Sequence, residues 1–130
     1  MMPKYRAAKS RQLSPWLTAN LDGKDGRFIQ VGNSLVLSKV FQSLSANARY
    51  LYLCLAMESG GKQTVRFSHG TAKKYGIPST TFDRAIKELR TRSFITLIED
   101  EERSQFKTNE FRFAADWKLN PDPHFGDREK

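Results

Sequence analysis

The chain of 130 residues is poor in the residue types that make covalent cross-links and metal sites. Cys54 is the single cysteine, so no internal disulfide can form. His69 and His124 are the two histidines, and no Cys/His spacing suits structural zinc. Long apolar runs are also missing. The longest, Leu51 to Met57, falls far short of the roughly 20 residues that a membrane-spanning helix needs. The basic stretch Met1 to Gln12 is not followed by an apolar core, which argues against a secretory signal. These shortages predict a soluble chain in a reducing, cytoplasmic setting, with no membrane partner, no metal and no other cofactor.

Catalytic signatures are equally scarce. A phosphate-binding loop of the form Gly-x-x-x-x-Gly-Lys-Ser/Thr would need glycine where Ala56 stands and a hydroxyl where Gln63 stands. No His-x-His pair accompanies a tyrosine, as a replication nickase would require. The acids from Glu99 to Glu102 are consecutive in a polar loop, a pattern of solvated charge and not of a metal site. Cys54 lies in an apolar helix without a His/Asp partner pattern and reads as a small core residue. The chain is not expected to be an enzyme.

Acidic residues are the remaining shortage: 14 Asp and Glu stand against 22 Lys and Arg, for a net charge of +8. A pI near 9.8 favours a polyanionic partner. The excess is local. Residues 1–27 carry +4 and residues 61–93 carry +6, whereas 94–118 carry −2 and 119–130 carry −1. With 38% hydrophobic residues and nine Phe the chain can build one modest core. The expected organisation is a basic flexible arm over 1–27, one folded domain over 28–118 and a frayed tail over 119–130. The arm reads equally as a solvated tail or as a phosphate-contacting extension.

Phe28 to Val31 alternates weakly, suggesting a short edge strand. Ser38 to Leu44 suits a helical turn. Ser45 is a good N-cap for a longer helix to about Met57, in which Ala48, Leu51, Tyr52 and Leu55 recur at i, i+3, i+4 and i+7 on one buried face. Glu58-Ser59-Gly60-Gly61 ends it. Thr64 to Phe67 reads as a short strand. Ser68 then caps a brief helix that stops at Gly76, a residue suited to a left-handed cap. Ser79-Thr80-Thr81-Phe82-Asp83 starts another helix with hydroxyl capping groups and an acid in its first turn, running to about Arg92. Its apolar face is Phe82, Ala85, Ile86 and Leu89. Phe94 to Ile98 and the Phe111-Arg112-Phe113 run read as antiparallel strands joined by the polar stretch Asp100 to Thr108. Phe82, Phe94, Phe111, Phe113 and Trp117 are core by default, not platforms for stacking bases.

This order predicts an α+β fold, a winged helix-turn-helix with a three-helix core and a small antiparallel β-hairpin wing. The second helix of such a motif lies in the DNA major groove, so its solvent face must offer short polar and basic groups. Off the apolar stripe stand Ser79, Thr80, Thr81, Asp83, Arg84, Lys87 and Arg90. Arg84 suits two parallel hydrogen bonds to a guanine edge, Ser79 and Thr80 suit phosphates or bases, and Lys73 and Lys74 on the preceding helix would meet the backbone. The same residues also fit an ordinary solvated face with an Asp83–Lys87 pair. In the wing tip, Arg103 and Lys107 could enter a minor groove, but Asp100, Glu101 and Glu102 beside them repel phosphate.

Ser45 to Met57, Ala72-Lys73-Lys74-Tyr75-Gly76-Ile77, Thr81 to Leu89, Phe94-Ile95 and Asn109-Glu110-Phe111-Arg112-Phe113 through Trp117-Lys118 resemble small winged helix-turn-helix proteins of Gram-positive plasmids and conjugative elements. Some of these look like the N-terminal domains of plasmid replication initiators. The resemblance covers about residues 28–118. Such relatives often have glycine at the position of Ser93, the residue suited to a left-handed helix end. The resemblance implies sequence-specific binding of double-stranded DNA in replication or transcriptional control. The alternative is a winged-helix protein-interaction module, with a homodimer or replication and transfer proteins as partners.

Overall fold

The computed structural model of the protein describes residues 11–98 and 109–119. The wing tip with Arg103 and Lys107 and residues 120–130 of the expected frayed tail lie outside the described residues, while Leu119 ends a 3-10 turn, Asp116–Leu119. The chain divides into two compact units, Met1–Gln30 and Val31–Lys130.

In the first unit β1 (Arg11–Gln12) pairs antiparallel with β2 (Lys24–Asp25). Between them Pro15–Leu17 makes one 3-10 turn, and Gly23 at φ +75° lets the chain return, its carbonyl accepting from the Leu13 N–H at 2.7 Å. Asn20 closes the loop by donating to the Lys24 carbonyl at 2.7 Å and to Asp25 Oδ1 at 2.9 Å.

The second unit is α+β. Its helices are α1 (Asn33–Leu37), α2 (Lys39–Gln42), α3 (Ala46–Ser59), α4 (His69–Lys74) and α5 (Ser79–Thr91). Strands β3 (Thr64–Arg66), β4 (Ile95–Ile98) and β5 (Glu110–Phe113) form an antiparallel sheet in the order β3-β5-β4. Phe28 to Val31, expected as an edge strand, joins neither sheet. Its alternation is too brief to specify a buried face, and Val31 stays exposed. The core also draws on more than three helices: Val40 and Phe41 of α2, and Leu44 just after it, are buried beside Ala48, Leu51 and Leu55 of α3.

Serine side chains cap the starts of α2, α3 and α4. The Ser38, Ser45 and Ser68 hydroxyls accept from the N–H groups of Phe41, Ala48 and Thr71, each satisfying a donor the helix itself leaves free. The start of α5 departs from the expected hydroxyl cap. Pro78 is the N-cap and offers no side-chain acceptor, so Ser79 and Thr80 fall inside the first turn, and that turn holds no acid.

Both helices of the α4–α5 corner end in the same way. Gly76 has φ +80°, the Ile77 N–H returns to the Ala72 carbonyl at 2.9 Å and the Gly76 N–H to the Lys73 carbonyl at 2.9 Å. At the end of α5 the Phe94 N–H reaches the Leu89 carbonyl at 2.9 Å and the Ser93 N–H the Arg90 carbonyl at 3.1 Å. This paired bonding requires one residue in the left-handed region. Glycine supplies it at 76; at 93 a serine does, with φ 68°. The buried pairs Ala72/Ile77 and Leu89/Phe94 close each end with apolar contact.

Register puts Val65, Phe111 and Leu97 in one row across the sheet, facing the helices. Two aromatic clusters fill the space beneath. Phe41, Tyr52, Phe94, Phe113 and Trp117 meet edge-on or stacked, with Trp117 4.8 Å from Phe94. Phe67 stacks with Phe82 at 5.6 Å and with Tyr75 at 6.2 Å, joining β3, α4 and α5. Cys54 is 4% exposed. Burial pushes its thiol above the ordinary value of 9.0, a shift that the Tyr50 hydrogen bond opposes and the Glu58 charge reinforces.

Two outcomes follow from these features. Ser93→Gly, which removes the left-handed penalty but adds unfolded-state freedom, stabilises the fold by about 0.5–1 kcal/mol in chemical denaturation. Cys54 alkylates at neutral pH about tenfold or more slowly in the native protein than in denaturant, because both access and thiolate are lacking; equal rates by mass spectrometry would contradict its placement.

Candidate nucleic-acid interface

Helix α5 has two unlike sides. Phe82, Ala85 and Leu89 are buried, Ile86 packs against the core, and the helix lies on α3. The burial of Phe82 and Leu89 contributes about 1.5–3 kcal/mol each. A polar clamp fixes the rotation. The Glu88 carboxylate accepts from the Ser45 backbone N–H at 2.7 Å and from the Ser45 hydroxyl at 2.8 Å, while that hydroxyl accepts in turn from Ala48. Arg92 Nη1 donates to Ser43 Oγ at 2.7 Å. These three bonds tie α5 to the start of α3 and to the end of α2.

With that side occupied, Thr80, Asp83, Arg84 and Lys87 follow at i, i+3, i+4 and i+7 on the opposite stripe, continued by Arg90 and Thr91. All six are exposed. Ser79 is exposed at the helix start and Thr81 is half-buried. Arg84, Lys87 and Arg90 have no ion-pair partner among the described residues. The Asp83–Lys87 pair considered as an alternative is not what engages Asp83. Its Oδ1 lies 2.8 Å from His69 Nε2, on the first residue of α4, with side-chain exposures of 64% and 54%. The His69 ring also stands edge-on to Phe82, at 4.9 Å between centroids.

The two lysines of α4 differ. Lys74 Nζ lies 2.8 Å from Glu58 Oε2 and over the Tyr75 ring, and that carboxylate also accepts from the Tyr75 hydroxyl at 2.7 Å. Lys73 is exposed with no ion-pair partner among the described residues. Lys74 thus helps hold α4 to α3, whereas Lys73 makes no such tie among the described residues. Tyr50 strengthens the same joint by donating to the Tyr75 carbonyl at 2.9 Å.

Two features carry no signal in sequence periodicity. A shallow groove of about 440 Å³ runs between α5 and β4, lined by Lys87, Arg90, Thr91, Ile95, Thr96 and Leu97. Thr96 is opposite Arg112 in the register, and Arg112 is opposite Thr64; Arg112 is exposed on the outer face of the sheet, which it shares with Glu110 and Arg66. His69 is the other feature, since its partner lies 14 positions away. Among the described residues no three His, Cys, Asp or Glu side chains come together as a metal site, and no helix is long and apolar enough to cross a membrane. Comparison with protein-family models, with curated proteins and with solved structures finds no match.

The Glu88–Ser45 clamp makes a quantitative expectation. Glu88→Ala costs about 1–2 kcal/mol of stability, as a charge-assisted hydrogen-bond pair requires. Combined with Ser45→Ala in a double-mutant cycle, it shows a coupling of about 0.5–1.5 kcal/mol; additive losses would mean that the clamp does not form in solution.

Proposed function

We propose that the protein binds double-stranded DNA sequence-specifically, as a winged helix-turn-helix in which α5 is the recognition helix and β4 and β5 form the base of the wing. The observation that carries this reading is the exposed stripe Thr80, Arg84, Lys87 and Arg90, whose cations are unpaired among the described residues while the rest of α5 is pinned to α3. Short hydroxyls near the helix start and cations further along match what a major groove offers: base-edge acceptors flanked by phosphates. The uncapped start of α5 leaves backbone N–H groups and partial positive charge for a phosphate near Ser79 and Thr80. Lys73, and the groove holding Lys87, Arg90 and Thr96, supply further phosphate contacts.

The order of α3, β3, α4, α5, β4 and β5 supports the winged-helix description, because it places the turn at Gly76 directly before the stripe and the strand pair directly after it. The resemblance of residues 28–118 to small proteins of Gram-positive plasmids and conjugative elements extends the proposal to control of replication or transcription of a mobile element.

Selection of bound duplexes from a random pool, followed by fluorescence polarisation on the winner, tests the reading. Affinity falls steeply with salt, with a slope near −0.9 per phosphate neutralised. An Arg84→Ala, Lys87→Ala double variant that folds normally binds about ten- to a hundredfold more weakly. Wild-type affinity in that variant would overturn the assignment of α5.

A further inference from the structure

We infer that Asp83 is a base-reading residue for cytosine, held in position by His69; the inference rests on the proposed role of α5 in DNA binding. An exposed carboxylate in the middle of a cationic stripe is unfavourable on a polyanion unless it meets a hydrogen-bond donor there. Asp83 stands between Thr80 and Lys87 on the outward stripe and next to Arg84, in the N-terminal half of the helix, the half from which helix-turn-helix proteins contact bases.

His69 determines what remains available. With Oδ1 engaged by His69 Nε2 at 2.8 Å, Oδ2 has no hydrogen-bond partner among the described residues and is an acceptor only. His69 is itself fixed, at the first position of α4, by the edge-on contact with Phe82 in the core. The carboxylate is therefore oriented before any ligand arrives, which lowers the entropic cost of a directional contact.

The major groove offers few donors to such an acceptor: the cytosine N4 amino group and the adenine N6 amino group. Adenine places the N7 lone pair beside its amino group, which repels a second acceptor oxygen. Cytosine places a C–H there instead. Cytosine is the base that fits Asp83, as guanine is the base that fits Arg84. His69 is a positioning residue in this arrangement and touches no base.

The experiment is the random-pool selection repeated with Asp83→Ala, Asp83→Asn, His69→Ala and His69→Gln, each checked for native thermal unfolding. Wild type enriches cytosine at one position of the site, with discrimination of roughly ten- to a hundredfold over the other bases. Asp83→Ala loses the preference at that position alone and keeps salt-dependent affinity for duplexes. Asp83→Asn, with a donor and an acceptor side by side, shifts the same position toward adenine. His69→Ala weakens the cytosine preference, and His69→Gln, which retains a donor, keeps more of it. If Asp83→Ala raises affinity equally for all sequences and leaves the selected site unchanged, Asp83 is a repulsive neighbour and the inference fails while DNA binding stands. A wild-type protein with no duplex affinity overturns both.

Discussion

The packing of Phe82, Ala85 and Leu89 against α3 is the contact on which the arrangement of the second unit depends. A helix buried along one stripe has little freedom to roll, and here a polar clamp adds to the apolar contact. Glu88 takes both donors of Ser45, the residue whose hydroxyl also caps α3. The start of one helix and the rotation of the other are thereby settled by one carboxylate. Once that side is committed, the identity of the outward stripe is a matter of helical geometry.

Two like-built helix ends set the directions of what precedes and follows α5. Gly76 and Ser93 each take a left-handed backbone so that the next residue can return its N–H to the helix, burying Ile77 and Phe94 as it does so. The first end aims α4 at α5, and the second aims the chain into β4. Serine at the second end accepts strain that glycine would avoid. Burial of Phe94, which stacks on Trp117 and meets Phe41 and Tyr52, is what holds it there.

The same contacts sort the charges. Lys74 and Arg92 belong to the basic segment by sequence, yet they serve the joints to Glu58 and Ser43. Arg84, Lys87 and Arg90 are left outward, and Asp83 is left among them with His69 on one oxygen. Net charge counts all these groups alike. Geometry separates the cations engaged in the joints from those left exposed, and Lys87 and Arg90 of the exposed set line the groove beside Thr96.

Periodicity made α3 and α5 legible because burial of one stripe is a local pattern: Ala48, Leu51 and Leu55, then Phe82, Ala85 and Leu89, are buried as their spacing predicts, whereas the short α1 has no such stripe and is not expected from the sequence. Caps at Ser45 and Ser68 and the turn at Gly76 were legible for the same reason, since each depends on residues within one helical turn. The start of α5 misled, because Pro78 takes the cap position that a hydroxyl pattern places one residue later. Only the tertiary structure paired β3 with β5, engaged Glu88 with Ser45 and brought His69 to Asp83. Those partners are tens of residues apart or lie across a turn, and nothing in a linear spacing encodes which face meets which. The sequence by itself determined which residues α3 and α5 would bury and which segments would carry the charge; packing decided which of those charges were consumed in holding the fold and which were left facing outward.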